Sequence, residues 1–172
     1  MNEIERLYAF LKKRNGHADN KLCLVNAQQI GGGKQNYCLT TAEDNSQSMG
    51  YGLVSGWLAL PSKIQGNDWQ KQFTQHWWNF DLNLQKHLDF SPNIEDGALY
   101  IQDDEITNFV SKNSNRLSSH VASSIIMKNN LFYAVDYGEN GYRFHDLEKL
   151  STDQIFYFQT IECNAPGSFQ MR

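Results

Sequence analysis

Cysteine and positive charge are both scarce in this chain of 172 residues, and each scarcity excludes a class of protein. The three cysteines, Cys23, Cys38 and Cys163, are an odd number without C-x-x-C spacing, so we expect no disulfide framework. Such cysteine usage favours a reducing compartment, and hence a cytoplasmic location. Lysine and arginine number 15 against 19 acidic residues. Because no basic stripe appears along the chain, we expect no binding to nucleic acid.

Long apolar stretches are also missing. No run of 18 or more apolar residues is present, so we expect neither a membrane-spanning helix nor a membrane partner. The first six residues lack the apolar core of a secretory signal. Delivery by a route without a cleaved signal is the alternative to a cytoplasmic location.

The composition that remains is typical of a folded domain. Hydrophobic residues make up 40%, charged residues 20% and aromatic residues 13%, and we expect residues 1–172 to form a single domain. Helical spacing over residues 2–14 predicts a helix, and alternation predicts strands over residues 49–60, 73–80, 84–90, 121–127, 131–137 and 155–161. The sequence therefore predicts an α+β fold, with helices packed on one antiparallel sheet.

Cys23, His76 and Asp89 are the predicted catalytic residues. We predict a helix over residues 22–29 with Cys23 in its first turn, where the helix dipole favours a thiolate. His76 begins a predicted strand, and Asp89 lies at the end of the adjacent one. A cysteine nucleophile, a histidine base and an orienting acid are what acyl transfer requires. This order predicts a thiol-dependent amide or acyl hydrolase or transferase that acts on a peptide or protein substrate without a cofactor.

Alternatives exist for each member of this triad. Cys23 is otherwise a small apolar packing residue. Asp81 is a rival acid, but it follows His76 by five residues in one strand, which is roughly 17 Å when extended. His87 is a rival base that shares a strand face with Asp89. A zinc site built from these histidines with Cys23 and Asp89 is the competing chemistry, but this spacing is a weak metal pattern and we predict no metal.

The glycine run at residues 31–33 precedes Lys34, which invites comparison with a phosphate-binding loop. The G-x-x-x-x-G-K spacing is absent, and no serine or threonine follows the lysine. We predict instead a turn from the helix at residues 22–29 into a short strand at residues 36–41, which contains Cys38.

Asn20, Asn26 and Trp78 are the predicted oxyanion or substrate-binding residues. The backbone N–H of Cys23 would supply one oxyanion donor, and Asn20 or His17 would supply a second. Asn26, one turn after Cys23, would either face the site or anchor the predicted helix.

The period of a strand separates the two adjacent tryptophans. Trp78 faces the same way as His76, and Trp77 faces the opposite way. We expect one tryptophan to line the site and its neighbour to pack in the core.

Several short motifs together resemble a family of uncharacterised bacterial and phage proteins that are similar to papain-like and transglutaminase-like cysteine enzymes. The resemblance covers roughly residues 20–110, and it implies a papain-like or transglutaminase-like fold with Cys23, His76 and Asp89 as the triad. The sequence departs from the pattern where Phe90-Ser91 interrupts the expected Asp-Pro and where a second tryptophan follows His76. The matching pieces are Cys23-Leu24-Val25-Asn26-Ala27, residues 51–56, His76-Trp77-Trp78, Leu88-Asp89-Phe90-Ser91-Pro92 and Ala98-Leu99-Tyr100.

A second hypothesis belongs to another class of protein. An acidic chain of this fold without catalysis would be a binding or inhibitory module, docking a protein partner through the loop at residues 61–72 and its Trp69. A third hypothesis is an effector that deamidates host or rival proteins. The sequence does not distinguish among a peptide bond, a glutamine side chain, a peptidoglycan stem and a small acyl donor as substrate.

Overall fold

The computed structural model describes residues 1–15, 22–34, 37–61, 69–113, 124–138 and 140–157. The helices in chain order are α1 (Glu3–Asn15), α2 (Cys38–Met49), α3 (Asp104–Asn113) and α4 (Thr152–Tyr157). A 3-10 turn, Leu147–Lys149, precedes α4. The strands are β1 (Leu22–Val25), β2 (Ala27–Gln29), β3 (Gly52–Ala59), β4 (Lys71–Asp81), β5 (Lys86–Asp89), β6 (Leu99–Asp103), β7 (Ser124–Lys128), β8 (Leu131–Gly138) and β9 (Gly141–Asp146).

One sheet contains all of these strands, and its main path runs β1-β6-β3-β4-β7-β8-β9. Every pairing along that path is antiparallel. The short strand β5 pairs antiparallel with β4 and parallel with β2. The prediction of an α+β fold with helices on a largely antiparallel sheet is confirmed.

The alternation of side chains along β4 divides the core in two. Trp77 is 1% exposed and packs with residues of α1, α2 and α3. Trp78 is equally buried, but it packs with Val54, Leu58 and Tyr100 in a second, smaller cluster. The adjacent tryptophans therefore point to opposite faces of the sheet, as the period of two predicts. Truncating a buried ring of this size costs about 3–5 kcal/mol, so the two rings anchor the strand between them.

Two segments before the central strands differ from the prediction. Residues 22–29 form β1 and β2 rather than a helix, because residues 22–25 pair in register with β6. In the described part of the predicted strand at residues 36–41, residues 38–41 are instead the first turn of α2. This helix buries Cys38 and Ala42 on one side and ends at Gly50, which lies in the left-handed region (φ 70). Strand pairing thus overrides the local preference of the first segment, and the packing of Cys38 and Ala42 into the larger core cluster overrides that of the second.

The predicted strand at residues 155–161 is also wrong in its described part, because residues 152–157 form α4 and Ile155 is buried in the larger core cluster. The remainder of that segment lies outside the described residues. Within the described part of the chain, no helix combines the length and the apolar character needed to cross a membrane.

The proposed docking loop at residues 61–72 lies largely outside the described residues, which resume at residue 69. Trp69 itself is half-buried rather than free on the surface. Its ring lies edge-on to Tyr142 and Phe144 of β9, with centroid distances of 5.5 and 5.9 Å.

Candidate functional site

The hairpin of β4 and β5 brings His76 and Asp89 to one face of the sheet. Asn79 lies opposite Leu88 in this pairing, so the same register places Asp89 opposite Trp78 and diagonal to His76. The turn between the strands is closed by Asp81, whose Oδ1 accepts hydrogen bonds from the backbone N–H groups of residues 83 and 84 at 2.8 and 3.0 Å. Asp81 therefore holds the hairpin turn, and Asp89 is the acid beside His76.

Asp89 is held by donors on both carboxylate oxygens. His76 Nε2 lies 2.7 Å from Oδ2, which also accepts the hydroxyl proton of Tyr100 at 2.9 Å. The backbone N–H of Ser91 donates to Oδ1 at 2.8 Å. The carboxylate is 1% exposed, and a buried charge is tolerated only with such partners. The acid is thus fixed in one orientation toward the imidazole.

The thiol beside His76 is that of Cys38. Cys38 is the first residue of α2 and is 5% exposed. A hydrogen bond joins its side chain to His76, and Nδ1 is the ring nitrogen left for it because Nε2 bonds Asp89. The start of a helix carries partial positive charge and favours an anion. The structure therefore places the Cys38 sulfur on one side of the His76 imidazole and the Asp89 carboxylate on the other.

The structure places the predicted nucleophile, Cys23, away from the group formed by Cys38, His76 and Asp89. Cys23 is exposed on β1, where its Sγ lies 3.8 Å from Gln102 Oε1. It pairs with Gln102, which pairs with Gly56, which in turn pairs with His76. Three strand spacings therefore separate Cys23 from His76, or about 14 Å. The structure does not bring Cys23 to His76, because residues 22–25 and 27–29 are strands and Cys23 therefore does not lie at the start of a helix.

The two charges that flank His76 determine its protonation. Burial lowers the pKa of His76, but the negative charges of Cys38 and Asp89, with hydrogen bonds to both, raise it to about 10. Burial raises the pKa of Asp89, yet the charge of His76 and hydrogen bonds from His76 and Ser91 bring it below its ordinary value. The surroundings of His76 therefore favour its charged form, an imidazolium, at neutral pH.

Trp78, a predicted substrate-binding residue, packs over the imidazole of His76 and does not form the wall of an open cleft. Its ring stacks on His76 at 6.1 Å between centroids and 21° between planes, and it is 1% exposed. Its Nε1 donates to His87 Nδ1 at 3.0 Å. This hydrogen bond from Trp78 occupies Nδ1 of His87. Burial lowers the pKa of the His87 imidazole, and the negative charge of Asp104 opposes that shift. The predicted rival base is not the histidine that faces the acid.

Of the two predicted asparagine donors, the structure describes Asn26. Asn20 and the alternative donor His17 lie outside the described residues. Asn26 is exposed between β1 and β2, so it is not one helical turn from a nucleophile. The amide that packs against α2 is instead Asn79, fully buried on β4, whose Nδ2 donates to the backbone oxygen of Ala42 at 2.9 Å.

The glycine run connects the acid to the helix that carries Cys38. The N–H groups of Ile30 and Gly31 donate to the backbone oxygen of Asp89, and that of Gly33 donates to the oxygen of Phe90 at 2.7 Å. A Cβ on Gly33 would lie 2.6 Å from that same oxygen, so only glycine fits. Hydrogen bonds therefore hold the glycine run, which precedes α2 in the chain, against the end of β5. The predicted turn is followed by a helix rather than a strand.

A pocket of about 380 Å³ opens beside the glycine run. One wall is formed by Gly32 and Gly33 of the glycine run with Lys34. The other is formed by Tyr37 and one side of α2, namely Thr40, Thr41, Asp44 and Asn45. Hydroxyl, amide and charged groups line it, so its chemistry suits a polar ligand.

Metal binding has no support from the described part of the chain, where no three His, Cys, Asp or Glu side chains come together in a way that could hold an ion. Of the side chains in the predicted zinc set, Cys23 lies on a distant strand and His87 is bonded to Trp78.

Sequence reasoning missed two members of the site, Cys38 and Tyr100. Cys38 and Ala42 are spaced four residues apart and precede a glycine at residue 50, which is a weak helix signal. Either cysteine satisfies the order Cys, His, Asp along the chain, so order alone does not choose between them. No local signal marks Tyr100, because its contact with Asp89 depends on β6 inserting between β1 and β3.

Comparisons with protein-family models, with curated protein sequences and with solved structures return no match.

Proposed function

We propose that the protein is a thiol-dependent amide or acyl hydrolase or transferase with Cys38 as nucleophile, His76 as general base and acid, and Asp89 as the orienting acid. The observation that carries the proposal is the unbroken series of contacts from Cys38 through His76 to Asp89. The chain order of helix, histidine strand and acid strand accords with a papain-like or transglutaminase-like fold, which we propose as the finer classification.

The reaction follows from the roles of these groups. Sγ of the Cys38 thiolate attacks the carbonyl carbon of the substrate, and the resulting oxyanion would accept hydrogen bonds from backbone N–H groups in the first turn of α2, which have no partner within the helix. The imidazolium of His76 gives its proton to the departing amine, and the C–N bond breaks to leave a thioester on Cys38. Water or a second amine, deprotonated by His76, then attacks the thioester and releases the thiol.

The pocket beside α2 favours a peptide or protein substrate. Threonine hydroxyls and the Asn45 amide match the donors and acceptors of a peptide or of a glutamine side chain. Asp44 and Lys34 at the same pocket supply one charge of each sign. The proposal therefore places a polar acyl donor between the glycine run and the start of the helix.

The proposal is tested by alkylation with substoichiometric iodoacetamide across pH, with the modified cysteine identified by mass spectrometry. We expect Cys38 to react at least about tenfold faster than Cys23 at pH 6, although Cys38 is buried and Cys23 is exposed. The reason is that the imidazolium of His76 lies beside the sulfur of Cys38 and not beside that of Cys23. His76→Gln should abolish the difference, and the control His145→Gln on β9 should retain it.

A Cys38 that reacts no faster than Cys23, and whose rate is the same in His76→Gln, would remove the basis for the enzyme hypothesis. The inert binding module would then be the better account of this fold.

A further inference from the structure

Tyr100 places a buried hydroxyl against the acid of the site. The residue lies on β6 and is 1% exposed. Its ring packs edge-on against Trp78 at 5.3 Å and 64°, and its hydroxyl donates to Asp89 Oδ2 at 2.9 Å. The ring fixes where the hydroxyl points, because the side chain is enclosed by Trp78, Val54 and Leu58.

The direction of the hydroxyl proton is also determined. A hydrogen bond joins the side chains of Gln29 and Tyr100. A tyrosine hydroxyl has one proton to give, and a carboxylate can only accept, so the proton goes to Asp89 and the hydroxyl oxygen accepts from Gln29. Burial and the charge of Asp89 raise the pKa of Tyr100, so the hydroxyl stays protonated throughout the working pH range.

The need for this donor changes during the proposed reaction. While His76 is an imidazolium, its charge stabilises the Asp89 carboxylate directly. After His76 has given its proton to the leaving group, the ring is neutral and that attraction is gone. The carboxylate then depends on the Tyr100 hydroxyl, on the backbone N–H and hydroxyl of Ser91 and on the remaining imidazole N–H. These donors are needed because a buried charge without donors is costly.

We propose that Tyr100 is a positioning residue of the triad, which holds Asp89 ionised and aimed at His76 and so sets the acidic limit of the pH range in which Cys38 is reactive. This inference rests on the proposed function of the site. The titratable groups that contact Asp89 in the described structure are His76 on β4 and Tyr100 on β6, and Cys38 on α2 adjoins His76. His87 on β5 bonds Trp78 instead.

The test compares the native protein with Tyr100→Phe, which keeps the ring and removes one oxygen. In the variant we expect the pKa of Asp89, followed by ¹³C-carboxyl NMR, to rise by about one unit, because one donor to the ionised form is lost. The acidic limb of the alkylation rate of Cys38 should move upward by a similar amount. Tyr133→Phe, which removes a half-buried hydroxyl on β8, is the matched control and should change neither quantity.

An Asp89 pKa that is the same in the native and Tyr100→Phe proteins overturns the inference, whatever the reactivity of Cys38. A raised Asp89 pKa with an unmoved acidic limb overturns the link to reactivity. A Cys38 that is unreactive already in the native protein refutes the proposed function, whereas the NMR measurement still reports on Tyr100, so the two failures are distinguishable.

Discussion

At the scale of single residues, the site depends on His76 lying between two groups that both favour its charged form. Asp89 is held by Tyr100 and Ser91 as well as by His76, so the acid cannot turn away without breaking several bonds. Cys38 contributes both a charge and a hydrogen bond to the same imidazole. The pKa of His76, about 10, is therefore a property of the whole assembly.

Replacing the sulfur should lower that pKa. In Cys38→Ser the side chain keeps a similar size, but the hydroxyl does not supply the Coulombic contribution by which Cys38 raises the pKa of His76. We expect the pKa of His76 to fall by about one unit or more from its native value, as measured by ¹⁵N-histidine NMR titration.

Cys23→Ser is the control, because Cys23 is three strands from His76 and its replacement should leave the titration unchanged. Equal His76 pKa values in the native and Cys38→Ser proteins would contradict the contact between the thiol and the ring.

At the scale of elements, the sequence predicts that His76 and Asp89 lie together, because they are close along the chain. It does not predict which thiol lies beside His76, because that depends on distant residues. His76 and Asp89 lie thirteen residues apart on a hairpin, and the alternation of β4 and β5 is visible in the sequence. The choice of thiol depends on whether residues 22–29 and 36–41 become strand or helix. Residues 22–25 form a strand that pairs with β6, about eighty residues later, whereas Cys38 and Ala42 lie in a helix that packs into the larger core cluster. No local pattern encodes either of these long-range interactions.

Strand β3 lies between β4 and β6, and the three strands approach one another closely at Gly56. Gly56 lies opposite His76, and a Cβ there would meet the backbone oxygen of Ile101 at 1.8 Å and Trp78 Cη2 at 2.8 Å. The backbone of β6 cannot yield without losing its pairing with β3. A glycine is therefore required at this point for the sheet to bring Tyr100 and His76 together.

Gly56→Ala should consequently destabilise the protein by about 3 kcal/mol, the upper end of the cost of overpacking. Gly52→Ala on the same strand is the matched control, because its nearest neighbour would be Phe80 O at an ordinary 3.5 Å, and we expect a change below about 1 kcal/mol. Urea denaturation at pH 7 measures both. Similar midpoints for the two variants would show that β6 does not lie as close to β3 as described.

At the scale of the whole molecule, stability is linked to a buried acid on the helical side of the sheet. Asp103 ends β6 and is 1% exposed. Its carboxylate accepts from Trp57 Nε1 and from the N–H of Glu105, each at 3.3 Å. Burial raises the pKa of Asp103 to about 6, against the lowering effect of these two hydrogen bonds. The group thus joins the core packing of Trp57 to the start of α3.

This raised pKa makes the free energy of unfolding depend on pH in a defined direction. Between 3.8, the ordinary pKa, and about 6 the folded protein holds a proton on Asp103 that the unfolded chain releases. The contribution is fully present below pH 3.8 and is lost as the pH rises through 6. Asp89 does not act in this window, because its pKa is lowered and its contribution disappears only in stronger acid.

Urea denaturation of the native and Asp103→Asn proteins from pH 4 to pH 7 tests this linkage. The free energy of unfolding of the native protein, relative to that of the variant, should fall by on the order of 2 kcal/mol across this range, because the amide has no proton to lose. Asp96→Asn, at an exposed position, is the control and should give a curve parallel to that of the native protein. A parallel curve for Asp103→Asn as well would show that Asp103 does not hold its proton in the folded state, and that the hydrogen bonds from Trp57 and Glu105 outweigh its burial.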